Sequence, residues 1–469
     1  MKASGEPAAP RPIPTVRRLW PGQLLLELQK DPLAFFQAAQ ASHGDVVRFH
    51  FGRETVHLLS HPDLVRDVLL TLAQKFHKGL GLERAKLLLG EGLLTSEEGF
   101  HLGQRRLLQP AFHRSRIASY TTAMVDAAKA TAARWVEGTE LDVAAEMRRL
   151  TLAVVGKTLF DADVEGAAAA IGQALTDTLG LFGALSLPFG ELVLKLPLPA
   201  VRRFRRGRAR LDAEVLRILT ERRTDGTDRG DLLSMLLAAR DEEGRPMSDA
   251  QLRDEVMTLF LAGHETTANA LAWAFHLLGQ NPEVENALHA ELQSVLGGRS
   301  PGPEDAERLS VTTAVFSEAL RLYPPAYVRG RRAVEPVTLS DGTCIPRGEL
   351  AVLSPFVVHR DARWFEEPLQ MKLGRWTKEA KASRHRFAYF PFGAGTRSCI
   401  GESFAWMEGT LLLAVLASQW RLVPVSKSKV CLEPRITLRP KGLRMRTESV
   451  AKPGAGARSG ADPVRPGPL

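Results

Sequence analysis

The chain has 469 residues, of which 44% are hydrophobic and 25% charged, ordinary proportions for a globular protein with a core large enough to enclose a cofactor. Its three cysteines, Cys344, Cys399 and Cys431, form no C-x-x-C pair. That excludes the usual zinc and iron–sulfur spacings and a disulfide scaffold, and fits a reducing cytoplasm. The net charge of +9 favours an acidic partner, but no nucleic-acid motif accompanies it.

Residues 1–15 are rich in Pro and Ala, and the apolar run Leu24-Leu25-Leu26 is cut short by Glu27. A bilayer span needs about 20 apolar residues, so a signal peptide or transmembrane anchor is not expected here. Val46 to Leu59 alternates as a hairpin should, with Gly52 and Arg53 near its turn. Gly79-Leu80-Gly81-Leu82-Glu83-Arg84 starts like a dinucleotide fingerprint but lacks the last glycine and a preceding strand. With no P-loop either, the chain carries no flavin or nicotinamide module, and reducing equivalents should come from a separate protein. Six arginines, Arg202, Arg203, Arg205, Arg206, Arg208 and Arg210, form the densest basic cluster. A solvated helix face is its simplest explanation.

Ser248-Asp249-Ala250-Gln251 has the form of a capping box, and the helical pattern that follows runs to about Leu278. Gly279 and Pro282 are its expected stop signals. Thirty helical residues reach about 45 Å, enough to cross a domain. In the middle lies Ala262-Gly263-His264-Glu265-Thr266-Thr267. A glycine inside a helix costs about 1 kcal/mol relative to alanine, and threonines are weak formers. Such weakness points to a working site, where Ala262 and Gly263 let a flat cofactor and a small ligand approach the backbone. The Thr266 hydroxyl is placed to compete for the Ala262 carbonyl and open a groove. A zinc site is excluded, because the second histidine of H-E-x-x-H is replaced by Ala268.

Val311 to Tyr323 reads as a helix stopped by Pro324-Pro325, with Glu318 and Arg321 on one face. Strands follow over 334–352 and 436–445. Between them lies Phe392-Gly393-Ala394-Gly395-Thr396-Arg397-Ser398-Cys399-Ile400-Gly401, leading into an apolar helix from Ser403 to Ala417. Gly393 and Gly395 permit a tight turn, and the helix N-terminus favours a thiolate at Cys399. Arg397 can reach an anionic group.

The F-G-x-G-x-R-x-C-x-G string resembles the haem-binding loop of the cytochrome P-450 superfamily. A-G-x-E-T-T resembles that superfamily's oxygen-binding stretch, and E-A-L-R-L-Y-P-P its E-x-x-R helix. The resemblance implies a mainly α fold, a triangular helical domain with a smaller β-rich lobe. A flexible tail is expected over 1–19, one domain over 20–446 and a disordered Pro/Gly-rich tail over 447–469. It further implies haem b with iron on the Cys399 thiolate. His101, Arg105, Arg331 and Arg397 would meet the propionates, and Phe392, Ala262 and Gly263 would contact the ring. Glu265 would feed protons and Thr266 would steady bound oxygen. Arg375, in Gly374-Arg375-Trp376, would complete a triad with Glu318 and Arg321, although Met371, Leu373 and Gly374 depart from the family's pattern.

The reaction implied is monooxygenation of an apolar small molecule: a fatty acid, terpenoid, steroid or polyketide. Electrons would come from a ferredoxin or flavodoxin with its NAD(P)H-dependent reductase, and the protein would be a cytoplasmic monomer without a membrane anchor or nucleic-acid partner. Residues 78–100, 180–198, 326–329 and 435–437 would meet the substrate. A peroxide-driven peroxygenase and a non-catalytic haem sensor are the alternatives.

Overall fold

The computed structural model describes residues 13–16, 22–161, 194–425 and 429–450. Expected elements at 180–193 and in much of both tails lie outside these residues.

Two helices organise the core. The helix Asp249–Gln280 starts on the expected capping box: the Ser248 hydroxyl accepts from the Gln251 N–H at 3.2 Å, and the Gln251 side chain accepts from the Ser248 N–H at 2.9 Å. It runs unbroken through Gly263 and ends before Pro282, which opens the next helix, Pro282–Leu296. Most of its residues from Leu252 onward are buried, so its stability comes from packing on all sides rather than from propensity. The helix Glu402–Ala417, just after the cysteine loop, is likewise buried along one continuous stretch from Glu408 to Ala417. Helices Val143–Phe160 and Ser310–Leu322 pack against the long helix and complete a core that includes Trp273, Phe275, Phe316 and Leu411.

The largest sheet packs in clusters apart from the main helical core. The hairpin Val46–Phe51 and Glu54–Leu59 turns at Gly52, whose φ is +64°. It extends into a five-stranded sheet through Leu350–Leu353, Arg329–Ala333 and Phe76–Lys78, in that order. Glu54–Leu59 and Leu350–Leu353 are parallel, and the other pairs antiparallel. The second strand group thus begins at Arg329, five residues before the expected start. Gly79 explains part of this geometry: a Cβ there would lie 2.6 Å from the Gly330 backbone, so only glycine lets these strands meet so closely.

The ends of the fold reach past both expected boundaries. The Val16 N–H donates to the Arg48 carbonyl and the Arg48 N–H to Pro14, so residues 14–16 lie along the hairpin. The strand Arg444–Ser449 runs beyond 446 because its partner Trp420–Pro424 offers matching backbone groups to residue 449. Among the described residues, no helix is long and apolar enough to cross a membrane.

Candidate active site

The cysteine loop is shaped by its two glycines. Gly393 and Gly395 have φ of +74° and +70°, left-handed conformations that strain other residues. A Cβ on Gly395 would strike the Leu69 carbonyl at 2.2 Å, so this glycine also serves loop packing. The Cys399 N–H then donates to the Phe392 carbonyl at 2.9 Å, closing the turn. The Phe392 ring lies against Trp406, with centroids 5.6 Å apart. Cys399 retains accessible surface although protein atoms crowd around it.

The electrostatics at the sulfur differ from the expected balance. Burial pushes the Cys399 thiol up, outweighing the Gly401 N–H and the Arg329 and Arg105 cations, which all pull it down. The Gly401 N–H at the helix terminus therefore does not outweigh burial at this sulfur. Bound iron supplies the missing positive charge in any site of this kind.

Behind the loop, the E-x-x-R pair is fully buried. Arg321 donates through Nε to Glu318 Oε1 at 2.7 Å and through Nη2 to Oε2 at 2.8 Å. Glu318 also accepts from Arg375 Nη1 at 3.2 Å, Trp376 Nε1 at 3.0 Å and the Lys372 N–H at 3.0 Å. The triad forms despite the altered local sequence, because Arg375 and Trp376 remain in place. The remaining Arg321 hydrogens reach the carbonyls of His359, Pro368 and Gln370. His359 in turn accepts from the Phe390 N–H at 3.0 Å through Nε2, linking the triad to the cysteine loop. Burial keeps this imidazole's pKa well below its usual value, which preserves the neutral acceptor form.

A second feature is an excess of enclosed positive charge. Arg397 donates to the Phe76 carbonyl at 2.6 Å and to Glu97 Oε2 at 2.8 Å. Arg105 donates to the Ser398 carbonyl at 2.7 Å. Arg331 is 6% exposed, and its pKa is lowered to about 9 by burial and by repulsion from Arg329 and Arg397. His101 is buried, with Nδ1 3.1 Å from the Leu93 carbonyl and its Nε2 without a hydrogen-bond partner among the described residues. Burial and Lys78 lower its pKa to about 4.

Two cations belong to this group that sequence reasoning did not single out. Lys78 is 4% exposed, donates to the Leu93 carbonyl at 3.0 Å and has its pKa lowered to about 7, chiefly by burial. Arg329 donates to the Pro391 carbonyl at 2.6 Å, and its Nε has no hydrogen-bond partner among the described residues. Strand alternation puts Arg329 and Arg331 on one face, a register signal visible in the sequence. Glu97 is the carboxylate that faces Lys78, Arg331 and Arg397. More cations than the one carboxylate, Glu97, can match fit a ligand that brings two acid groups beside an iron-seeking sulfur, as haem does.

Across the core, Ala262 is exposed within a buried helix, and the Thr266 hydroxyl donates to its carbonyl at 2.6 Å. Gly263 instead faces the neighbouring helix: a Cβ there would lie 3.1 Å from Val155 Cγ2. Its smallness serves helix packing, while Ala262 keeps accessible surface. Glu265 is 3% exposed and accepts from the Thr437 hydroxyl at 2.7 Å. Arg439 Nε lies 2.9 Å from the same oxygen, with its N–H turned off the line between them. Thr437 also accepts from Asn269 Nδ2 at 3.0 Å. The acid is therefore anchored by groups from the strand Leu438–Lys441 and the residue before it.

Comparison with known proteins identifies the family. The family profile described as Cytochrome P450 matches residues 7–446. The chain is 43% identical to cyclooctatin synthase of Streptomyces melanosporofaciens over 90% of its own length and 92% of that protein. It is 38% identical to pentalenene oxygenase of Streptomyces avermitilis over 93% of each. The crystal structure of the cytochrome P450DA heme domain superposes with a TM-score of 0.86 at 28% identity, covering 94% of this chain and 98% of that one. Members of this family carry haem with a cysteine-thiolate ligand. With a family profile covering residues 7–446 and relatives similar over nearly the whole chain, this chain belongs to the cytochrome P450 family and is a cytochrome P450 monooxygenase.

Proposed function

We propose that the chain binds haem b through Cys399 and inserts one oxygen atom from O2 into an apolar terpenoid. The observation that carries this reading is the convergence of the enclosed Cys399 sulfur with Lys78, Arg105, Arg329, Arg331 and Arg397. Haem with a thiolate ligand supplies reductive activation of O2 and promotes O–O cleavage. The protein's own groups hold the cofactor, exclude water and manage protons. Arg397, Arg331 and Lys78 would bind the propionates, with His101 and Arg105 alongside. Phe392 would pack on the cysteine side, and Ala262 would leave room on the opposite side.

The Thr266 hydroxyl, now on the Ala262 carbonyl, would be free to turn inward as a donor, and Glu265, held in place by Thr437 and Arg439, would relay protons taken from water. That intact acid–threonine pair favours monooxygenation over a peroxide-only reaction or a silent sensor. A terpenoid is preferred because a relative is named pentalenene oxygenase. Electrons would arrive from a ferredoxin or flavodoxin with its reductase, docking near a cavity of about 580 Å³ lined by Lys381, Arg384, Arg386 and Trp406. A basic rim suits an acidic donor, and Trp406 touches Phe392 in the cysteine loop. The protein would work as a cytoplasmic monomer.

The test is Cys399→Ser. The reduced carbon-monoxide band that marks thiolate ligation should vanish while the fold survives, and an unchanged band would overturn the assignment. Product analysis with terpenoid hydrocarbons, electron donors and O2 tests the substrate class.

A further inference from the structure

The helix Pro199–Asp225 divides its charge unevenly. Its buried face is Val201, Phe204, Gly207, Leu211 and Val215, which turns Arg202, Arg203, Arg205, Arg206, Arg208 and Arg210 outward, all exposed. No acidic residue occurs between Pro199 and Leu211. In the second half every arginine meets a carboxylate: Arg217 with Glu214 and Glu221, Arg222 with Asp231, and Arg223 with Asp249. In the first half, Arg205 donates to the Leu194 carbonyl, while Arg208 donates to the Leu87 carbonyl and stands 3.7 Å from Asp212. Arg202, Arg203, Arg206 and Arg210 make no hydrogen bond or ion pair with the described residues.

This placement is unfavourable for the isolated protein. A helix N-terminus is the positive end of its dipole, so acids are stabilising there and cations are not. The spacings 202/206 and 206/210 also set like charges one turn apart, and each such pair is mildly destabilising. Solubility alone asks for mixed signs, as the second half has. Immediately before the arginines, Leu196 and Leu198 are 49% and 41% exposed.

We propose that this face docks on an anionic phospholipid surface. The arginines supply charge complementarity, with stems able to lie along the interface while their heads meet phosphates. Leu196 and Leu198 supply apolar contacts at the same edge. A nucleic-acid strand is the poorer match, because the one aromatic residue of the cluster, Phe204, is 4% exposed and offers no face for stacking. Since no described helix can span a bilayer, attachment is peripheral and reversible. It would bring the protein to the phase in which apolar molecules concentrate.

The experiment uses the full haem-loaded chain and extruded vesicles, either of phosphatidylcholine alone or with one third phosphatidylglycerol. Co-sedimentation should favour the anionic vesicles, and salt at about 0.5 M, where the Debye length is a few Å, should release the protein. The variant R202Q/R203Q/R206Q/R210Q spares the two arginines that hold backbone carbonyls. It should keep the haem spectrum and the solution turnover rate but lose roughly 100-fold or more in partitioning, since each cation near an anionic surface adds several-fold. Equal partitioning to both vesicles, or undiminished binding by the variant, would overturn the proposal. So would arginine-dependent binding to duplex DNA or an acidic protein without preference for anionic vesicles. Failure here leaves terpenoid turnover untouched, so the two readings fail separately.

Discussion

Glu318→Ala probes the bracing of the cysteine loop directly. The carboxylate and Arg321 are both fully buried, and Glu318 accepts five hydrogen bonds, from Arg321 twice, Arg375, Trp376 and the Lys372 backbone. Removing one partner of a buried pair typically costs about 3–5 kcal/mol, because the other charge is left uncompensated. The orphaned indole and backbone N–H groups add about 1–3 kcal/mol each if water cannot reach them. Arg321 keeps three carbonyl acceptors, which places the expected loss at about 4 kcal/mol, within the range for a broken buried pair. Urea unfolding should report that loss, and the yield of haem-loaded protein should fall with it. Glu214→Ala is the control: Glu214 and Arg217 share the same three-residue spacing but are half exposed or partly so, and truncating such a surface pair costs at most about 1 kcal/mol. If Glu318→Ala costs no more than the control, the bracing argument is wrong.

Glu408 is fully buried, and burial pushes its pKa from 4.5 to about 8, outweighing a hydrogen bond from Thr267. The native state then holds this proton up to about pH 8, while the unfolded chain releases it near 4.5. Its stability is full below pH 4.5 and declines between 4.5 and about 8. Glu408→Gln should therefore unfold at higher urea than the parent at pH 7.5, by roughly 1.4 kcal/mol per pH unit above 4.5 at most; parallel pH profiles would refute this. Lys78→Met should raise apoprotein stability, by removing a buried cation whose burial Glu97 only partly offsets, yet speed haem loss to apomyoglobin. Unchanged haem retention would remove Lys78 from the propionate site. Thr266→Ala should leave haem content intact and increase the share of electrons appearing as peroxide several-fold, and fully coupled turnover would count against its role.

The chemistry-bearing strings were legible because each is local. The capping box at Ser248, the E-x-x-R spacing and the glycines around Cys399 state their geometry within a few residues. Lys78 and Glu97 were not singled out, because their meeting with Arg331 and Arg397 depends on the pairing of residues 76–78 with 331–333 and on where the loop before Glu98 lands, which no local pattern encodes; Arg329 could have been found from its alternation with Arg331. Gly263 shows the same limit differently. A helix glycine announces close approach, but only tertiary packing shows that Val155 is the neighbour. At Cys399 the helix terminus was readable, whereas the larger opposing effect of burial was not.

The sheet that carries Arg329 and Arg331 also constrains when the protein can fold. Glu54–Leu59 pairs with Leu350–Leu353, and Phe76–Lys78 with Arg329–Ala333. During synthesis, the amino-terminal hairpin must wait for residue 353 before its outer edge is covered, and exposed strand edges invite association with other chains. Pairings so distant in sequence also slow folding. A ribosome-stalled chain ending before 350 should hold residues 46–78 accessible to protease, and one ending well past 353 should protect them.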